Sequence, residues 1–137
     1  APEIGAFGYE CEAPVVDAVG LASPRALKYH PMKVPEQRPT GLHGAVPSAL
    51  VERENPDVIV GLEAFMRDVL SSPVAQLYEI FSLSPIPQSR DGVAPVGVVF
   101  GSHRLLILIR RGRADGLTAE SLRAEVLDAS QLQRGVI

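Results

Sequence analysis

The sequence predicts a single α/β (α+β) domain with a mixed sheet of about five to six strands layered with helices. The chain has 137 residues, and 46% of them are hydrophobic against 21% charged, which suffices for one core. Short apolar runs typical of strands alternate with segments typical of helices. Two such runs, 96–100 and 104–111, flank Gly101-Ser102-His103, and this spacing predicts an antiparallel hairpin near the C-terminus.

The N-terminal third predicts two strands and a short helix. Residues 3–9, EIGAFGY, suit a first strand, and residues 14–21, PVVDAVGL, suit a second that starts at a proline. Ser23 then fits the N-cap of a helix with Pro24 at its first position. Pro31 would end that helix.

The middle of the chain alternates loop, helix and strand. Residues 31–47 contain four prolines and two glycines, so we expect a mobile loop there. A short helix is expected to end at Asn55-Pro56, and the apolar run 57–62, DVIVGL, predicts a strand buried on both faces. An amphipathic helix is expected next, closed by Ser71-Ser72-Pro73, with its stripe at Leu62, Phe65, Met66, Val69 and Leu70.

The C-terminal half completes the prediction with strands and a last helix. Residues 77–83 fit either a helix or a strand, and we favour the strand. Residues 84–95 predict a second loop before the hairpin. Thr118 suits the N-cap of a terminal helix covering TAESLRAEVLDASQL.

Composition narrows the possible partners. The net charge is −3 and there is no tryptophan, whereas nucleic-acid binding usually needs a basic patch or stacking aromatics. The single cysteine, Cys11, cannot form an internal disulfide. No apolar run approaches the ~20 residues that span a bilayer. Because the chain begins inside an apolar run at Ala1, we expect a soluble fragment excised from a larger protein.

No established catalytic or cofactor motif is present. The glycines match neither dinucleotide-binding nor P-loop spacing, and there is no GxSxG elbow. The three histidines, His30, His43 and His103, lie outside metal-ligand spacing, so we expect neither a metal nor a cofactor.

Asp17 is the most informative polar residue, because it lies inside an otherwise apolar run. With Glu3, Glu10 and Glu12 it could form paired carboxylates for acid–base chemistry. The commoner role of such an aspartate is a hydrogen bond to nearby backbone, here in the turn that Gly20 begins, and we favour that role. Asp17→Asn should then retain most of the stability, since the amide oxygen still accepts a hydrogen bond.

A basic group follows on the short helix. Arg25, Lys28 and His30 could hold a phosphate, although a solvated helix face is the commoner reading. The candidate ligand-binding residues are therefore Glu3, Tyr9, Asp17, Arg25 and His30, and no catalytic residue is assigned.

The first 70 or so residues resemble a known family. The pattern resembles the region after the last transmembrane helix of GT-C type membrane glycosyltransferases, relatives of protein mannosyltransferases and lipid A aminoarabinose transferases. The residues that carry the resemblance are Glu3-Ile4-Gly5, Gly8-Tyr9, Val16-Asp17, Gly20-Leu21, Pro24 and Pro56-Asp57-Val58-Ile59-Val60.

The resemblance implies a non-catalytic accessory domain on the extracytoplasmic face, joined to the transmembrane portion of the same polypeptide. It would help bind the acceptor or the lipid-linked sugar donor. The family's catalytic acid lies in a loop that no residue here matches. Two alternatives stay open: a free-standing soluble α/β domain that binds a small ligand or hydrolyses one, and a protein-interaction module.

Overall fold

A four-stranded antiparallel sheet with helices packed on it forms the centre of the computed structural model. The structure describes residues 5–30, 46–83, 104–113, 119–122 and 124–127. Its helices and strands are α1 (Gly5–Glu10), α2 (Ser48–Glu54), β1 (Val58–Leu62), α3 (Arg67–Ser71), β2 (Tyr78–Leu83), β3 (Leu105–Arg110) and β4 (Glu125–Leu127). Within these described ranges, 3-10 helices cover Pro24–Tyr29, Glu63–Phe65 and Pro73–Leu77. An architecture of mixed helices and strands agrees with the predicted class, but a five- to six-stranded sheet is not confirmed.

One face of the sheet carries the core. The strand order is β1-β3-β2-β4, and the register places Leu108 beside both Ile59 and Ile80, with Ile80 also beside Leu127. These four side chains form a row across the sheet, and all are buried. Residues of α2 and α3 complete the same cluster, namely Leu50, Val51, Val69 and Leu70, together with Met66.

The central position of β3 bears on the predicted hairpin. β3 pairs with β1 on one edge through five residues, 105–109, and with β2 on the other edge through all six of its residues. Both edges of β3 are thus occupied by described strands, and the antiparallel hairpin predicted with 96–100 is not confirmed. Residues 96–100 themselves lie outside the described part of the chain.

The helix α2 and the strand β2 are confirmed close to their predicted bounds. α2 ends where Asn55 adopts a left-handed conformation (φ 49°, ψ 49°), one that asparagine tolerates at a helix end, and Pro56 follows. β2 begins at Tyr78, one residue later than predicted, because a 3-10 helix extends through Leu77.

The predicted helix over 62–70 is instead two short helices. Leu62 ends β1 opposite Leu105, and the Glu63 amide extends that ladder to the Arg104 carbonyl. A 3-10 turn follows, and α3 begins only at Arg67. The expected stripe from Phe65 to Leu70 is nevertheless buried. The strand before it lies at the edge of the described sheet and alternates exposed or half-buried with buried residues, so it is not covered on both faces.

Three other predicted elements are wrong. Residues 5–10 form a helix and 14–21 form no strand, because the Asp17 side chain bonds the backbone amides that a strand would use. Without a strand at 14–21 to pair with, residues 5–10 satisfy their backbone hydrogen bonds within a helix. Near the C-terminus, 119–122 is a turn, and 125–127 is β4 on the edge of β2 rather than helix.

Several predictions fall on residues that the structure does not describe. They are most of the loop 31–47, the loop 84–95 and the N-cap Thr118. Within the described ranges, no helix combines the length and the apolar character needed to cross a membrane.

Candidate functional site

The Asp17 turn, residues 17–23, is built around one buried carboxylate. Asp17 is 2% exposed. Its Oδ1 accepts a hydrogen bond from the Val19 amide at 2.9 Å, and its Oδ2 accepts one from the Ala22 amide at 2.7 Å. Both oxygens are thereby used inside the turn. This answers why an aspartate lies in an apolar run: its side chain folds the run back on itself.

Two further side chains close the Asp17 turn. The Asp17 amide donates to Ser23 Oγ at 2.9 Å, so this hydroxyl does not cap the helix that follows, although Pro24 begins that helix as predicted. His30 Nε2 lies 2.7 Å from the Ala18 carbonyl oxygen. Because a carbonyl can only accept, Nε2 carries the proton in this arrangement.

Gly20 gives the Asp17 turn its tight curvature. Its φ of +99° is one that residues with a side chain rarely adopt. Leu27 packs directly over it, and a Cβ at residue 20 would lie 2.7 Å from Leu27 Cδ2. Glycine is therefore needed here for both its backbone conformation and its lack of a side chain.

The electrostatics of the turn favour a charged carboxylate. Burial alone would raise the pKa of Asp17, but the backbone amides of Ala22 and Val19 outweigh it and hold the pKa below its ordinary value. The amides of Gly20 and Leu21 act in the same direction. A carboxylate stabilised in this way is a poor proton acceptor, so the geometry does not suit general-base chemistry.

The predicted ligand-binding residues do not converge on one point. Asp17 and His30 meet at the Asp17 turn, each bonded to backbone. Arg25 points elsewhere, with its Nε 3.2 Å from Glu54 Oε2 on α2. Tyr9 is 88% exposed on α1, and Glu3 lies outside the described residues.

The basic group on the short helix is also dispersed. Lys28 Nζ lies 4.9 Å from the centre of the Tyr29 ring, a cation–π contact. With Arg25 turned to Glu54 and the His30 ring bonded to Ala18, these three side chains do not surround a common anion position. The solvated-face reading fits this geometry better than the phosphate reading.

A second polar cluster, which the sequence analysis missed, lies at the end of the sheet. We call it the Tyr78 network. Tyr78 Oη donates to the Pro56 carbonyl at 2.8 Å and accepts from Arg110 Nη2 at 3.2 Å. The same guanidinium donates to Asn55 Oδ1 and lies 5.3 Å from the centre of the Tyr78 ring.

The register explains the Tyr78 network. Tyr78 and Arg110 are directly opposite each other on β2 and β3, and the Arg110 amide donates to the Asp57 carbonyl beside them. Arg113 Nε then lies 3.4 Å from Asp57 Oδ1. No local sequence signal marks this cluster. Only the pairing of strands distant in the chain could have revealed it.

Burial raises the pKa of the Tyr78 phenol above its ordinary value. The hydrogen bond and positive charge of Arg110 act against that rise, whereas the negative charge of Asp57 adds to it. The phenol is therefore neutral at physiological pH and serves as a hydrogen-bond donor. Each guanidinium named here already has a protein partner, so the Tyr78 network reads as a structural clamp between β2, β3 and the end of α2.

Neither cluster shows the arrangement of a catalytic or metal site. Among the described residues, no three histidine, cysteine, aspartate or glutamate side chains come together in a way that could hold a metal ion. Comparisons of the chain with protein-family models, with curated proteins and with solved structures found no match.

Proposed function

We propose that this chain is a non-catalytic accessory domain of a polyprenyl-phosphate-sugar-dependent membrane glycosyltransferase of the GT-C type. It lies on the extracytoplasmic face and is joined to the transmembrane portion of the same polypeptide. Its task is to help bind the acceptor or to position the lipid-linked sugar donor.

The observation that carries the proposal is the Asp17 turn. Asp17, Gly20 and Pro24, which carry much of the resemblance to that family, are here the residues that build one turn. Asp17 folds the chain, Gly20 supplies the positive φ, and Pro24 opens the following helix. Such a pattern is typical of a structural module, because each residue acts on the backbone rather than on a substrate.

The lack of a reactive pair supports an accessory role over a hydrolase. In the part of the chain that the structure describes, the Asp17 oxygens accept hydrogen bonds from backbone amides, and His30 Nε2 donates a hydrogen bond to a backbone carbonyl. Neither Asp17 nor His30 is thus placed to activate a hydroxyl or water as hydrolases do.

The reading frame upstream of Ala1 tests the membrane assignment directly. Several in-frame apolar segments of ~20 residues each would support it. A start codon immediately upstream would contradict it and favour the free-standing soluble domain.

A transfer assay tests the accessory role. The purified chain, incubated with polyprenyl-phosphate-linked sugar and acceptor lipid or peptide, should give no product above a no-protein control. Turnover that one point substitution in this chain abolishes would contradict the proposal. The same preparation, assayed on small ester and phosphoester substrates, checks the hydrolase alternative, and hydrolysis there would favour it.

A further inference from the structure

The two edges of the described sheet differ in how they are protected from other strands. β4 forms one edge with only three residues, and the first of them, Glu125, is charged. β1 forms the other edge with five residues, VIVGL, and contains neither a charge nor a proline. Its register with β3 runs without a bulge. Soluble proteins usually block an edge with short strands, charges, prolines or bulges, because an open edge pairs with other chains. β1 has none of these devices.

The backbone of β1 uses alternate residues to bond β3. Just before β1 the Asp57 carbonyl accepts from the Arg110 amide, and just after it the Glu63 amide donates to the Arg104 carbonyl. In an antiparallel ladder every second residue bonds the same neighbour. The residues that bond β3 are therefore 57, 59, 61 and 63.

The other residues of β1, Val58, Val60 and Leu62, direct their amides and carbonyls away from β3. In the part of the chain that the structure describes, no strand pairs with this outer edge. The three side chains share the sheet face opposite the core cluster, where Val58 is 47% exposed and the other two are half-buried. The outer edge of β1 thus offers backbone donors and acceptors beside apolar side chains.

The spacing of the outward residues makes this edge complementary to itself. Because Val58 and Leu62 are equidistant from Val60, a twofold axis at Val60 places Val58 opposite Leu62 of a second copy and Val60 opposite itself. Each of these antiparallel pairs exchanges two hydrogen bonds, so all the outward groups are satisfied. On the core face the same register places Ile59 beside Gly61 of the second copy, and the glycine leaves room for the larger side chain.

We propose that β1 pairs antiparallel with β1 of a second copy and thereby joins the two four-stranded sheets into one. A twofold dimer requires a surface that is complementary to itself in this way. The pairing brings Asp57 near Glu63 of the second copy at each end, and Arg113 Nε, 3.4 Å from Asp57 Oδ1, offsets part of that repulsion. Such a dimer goes beyond the accessory role and does not depend on it, since it rests on the edge of the sheet alone.

Sedimentation velocity over a range of protein concentrations tests the dimer. The parent chain should shift from monomer to dimer as its concentration rises. Val58→Lys places a charge against Leu62 of the second copy and should lower the association constant about 10-fold or more. Val126→Lys is the matched control, because Val126 is 59% exposed on the same face at the opposite edge of the sheet. It should leave association unchanged.

Val60→Pro tests the contribution of the backbone. The Val60 amide points outward, so proline removes no bond to β3 but deletes both N–H donors at the twofold axis. The association constant should again fall about 10-fold or more. Circular dichroism and thermal melts establish that each variant folds. Val58→Lys, at a half-exposed position, decides the outcome if the proline variant does not fold.

Cysteine crosslinking tests the register. In a Cys11→Ser background, which removes the native thiol, Val60→Cys faces its own copy at about 5.5 Å between Cα atoms, a distance that a disulfide spans. Oxidation should therefore crosslink this variant. Val58→Cys is the control, because its copy lies four residues along the strand, about 13 Å away, which is too far for a disulfide.

Three results would overturn the proposal. A parent chain that stays monomeric at the highest concentration would show that the edge does not bind a second copy. Equal weakening by Val58→Lys and Val126→Lys would place the contact elsewhere, and equal crosslinking of Val58→Cys and Val60→Cys would exclude the register. A β1-paired dimer from a reading frame that encodes no membrane segment would keep this proposal and reject the glycosyltransferase assignment, and a monomer from a membrane-encoding frame would do the opposite.

Discussion

The Asp17 turn and the Tyr78 network both satisfy buried polar groups, but at very different distances along the chain. The bonds of the Asp17 turn join residues 2 to 12 positions apart. Those made by the Tyr78 and Arg110 side chains join residues 22 to 55 positions apart. The first cluster can form as soon as its own segment collapses. The second exists only after the sheet has assembled, so it reports on global folding.

The largest expected effect is in the Tyr78 network. Tyr78→Ala should lower the free energy of unfolding by about 3–5 kcal/mol, because it removes a ring that is buried in the core cluster. Tyr78→Phe keeps the ring and should cost only about 1 kcal/mol for the lost hydrogen bonds. Urea denaturation at neutral pH measures both. Equal costs would show that the hydroxyl rather than the ring holds this end of the sheet.

The next largest effect breaks the Asp17 turn. Asp17→Ala should cost about 2–3 kcal/mol, since it leaves backbone amides without their charged acceptor. Asp17→Asn should cost roughly half as much, more than the sequence alone suggested, because both carboxylate oxygens accept and an amide offers only one. The exposed Glu12→Ala is the control. An Asn variant as stable as the parent would contradict the two-oxygen account.

Gly20→Ala sharpens the comparison by straining the turn without removing a bond. The positive φ alone should cost about 1–3 kcal/mol. Gly112→Ala is the matched control, because its φ is +79° and nothing lies within 4 Å of the added Cβ, whereas Leu27 Cδ2 lies 2.7 Å away at Gly20. Gly20→Ala should therefore cost more, and adding Leu27→Ala should recover the excess. Identical costs at both glycines would exclude the steric contribution.

The Asp17 turn and the Tyr78 network should lose their contributions to stability at opposite ends of the pH range. The lowered pKa of Asp17 means that its stabilisation is present above the ordinary aspartate pKa and is lost as pH falls through the folded value. The raised pKa of Tyr78 means that its contribution is present below the ordinary tyrosine pKa and is lost as pH rises through the folded value.

Urea denaturation at a series of pH values tests both of these expected pH dependences. The difference in free energy of unfolding between the parent chain and Asp17→Asn should narrow below about pH 4. The corresponding difference between the parent chain and Tyr78→Phe should narrow above about pH 10. A gap for Asp17→Asn that stays constant down to strongly acidic pH would mean that the carboxylate charge does not stabilise the turn.

The smallest effect concerns the ion pair between Arg25, on the short helix that follows the Asp17 turn, and Glu54 on α2. The Arg25–Glu54 pair is largely solvent-accessible on the arginine side, so Arg25→Ala should cost about 0.2–1 kcal/mol, and less at high salt. Thermal melts at low and high salt provide the measurement. A larger cost that salt does not reduce would indicate that the arginine stem packs on the protein.

The accuracy of the sequence reading follows the same division between local and distant contacts. α2 could be predicted because its end at Asn55-Pro56 is a local stop signal. The structural role of Asp17 could also be predicted, since short acidic side chains bond nearby amides. The strand expected at 14–21 is absent for that same reason, as apolar content indicated a strand while the aspartate opposed it.

Errors at the other end of the chain arose from tertiary contacts. TAESLRAEVLDASQL has good helix formers, yet Val126 pairs with Phe81 on the edge of β2. Pairing of this kind overrides local propensity. The Tyr78 network was unpredictable for a related reason, because Tyr78 and Arg110 are opposite each other only in the folded register.

The insertion of β3 between β1 and β2 has a consequence for synthesis on the ribosome. β1 and β2 leave the exit tunnel first, yet neither is hydrogen-bonded to the other, and each waits for a strand that begins at Leu105. Nascent chains released before that point would carry apolar strands without their central partner. Such chains are expected to need chaperones, and the late, non-local closure of the sheet predicts slow folding for a domain of this size.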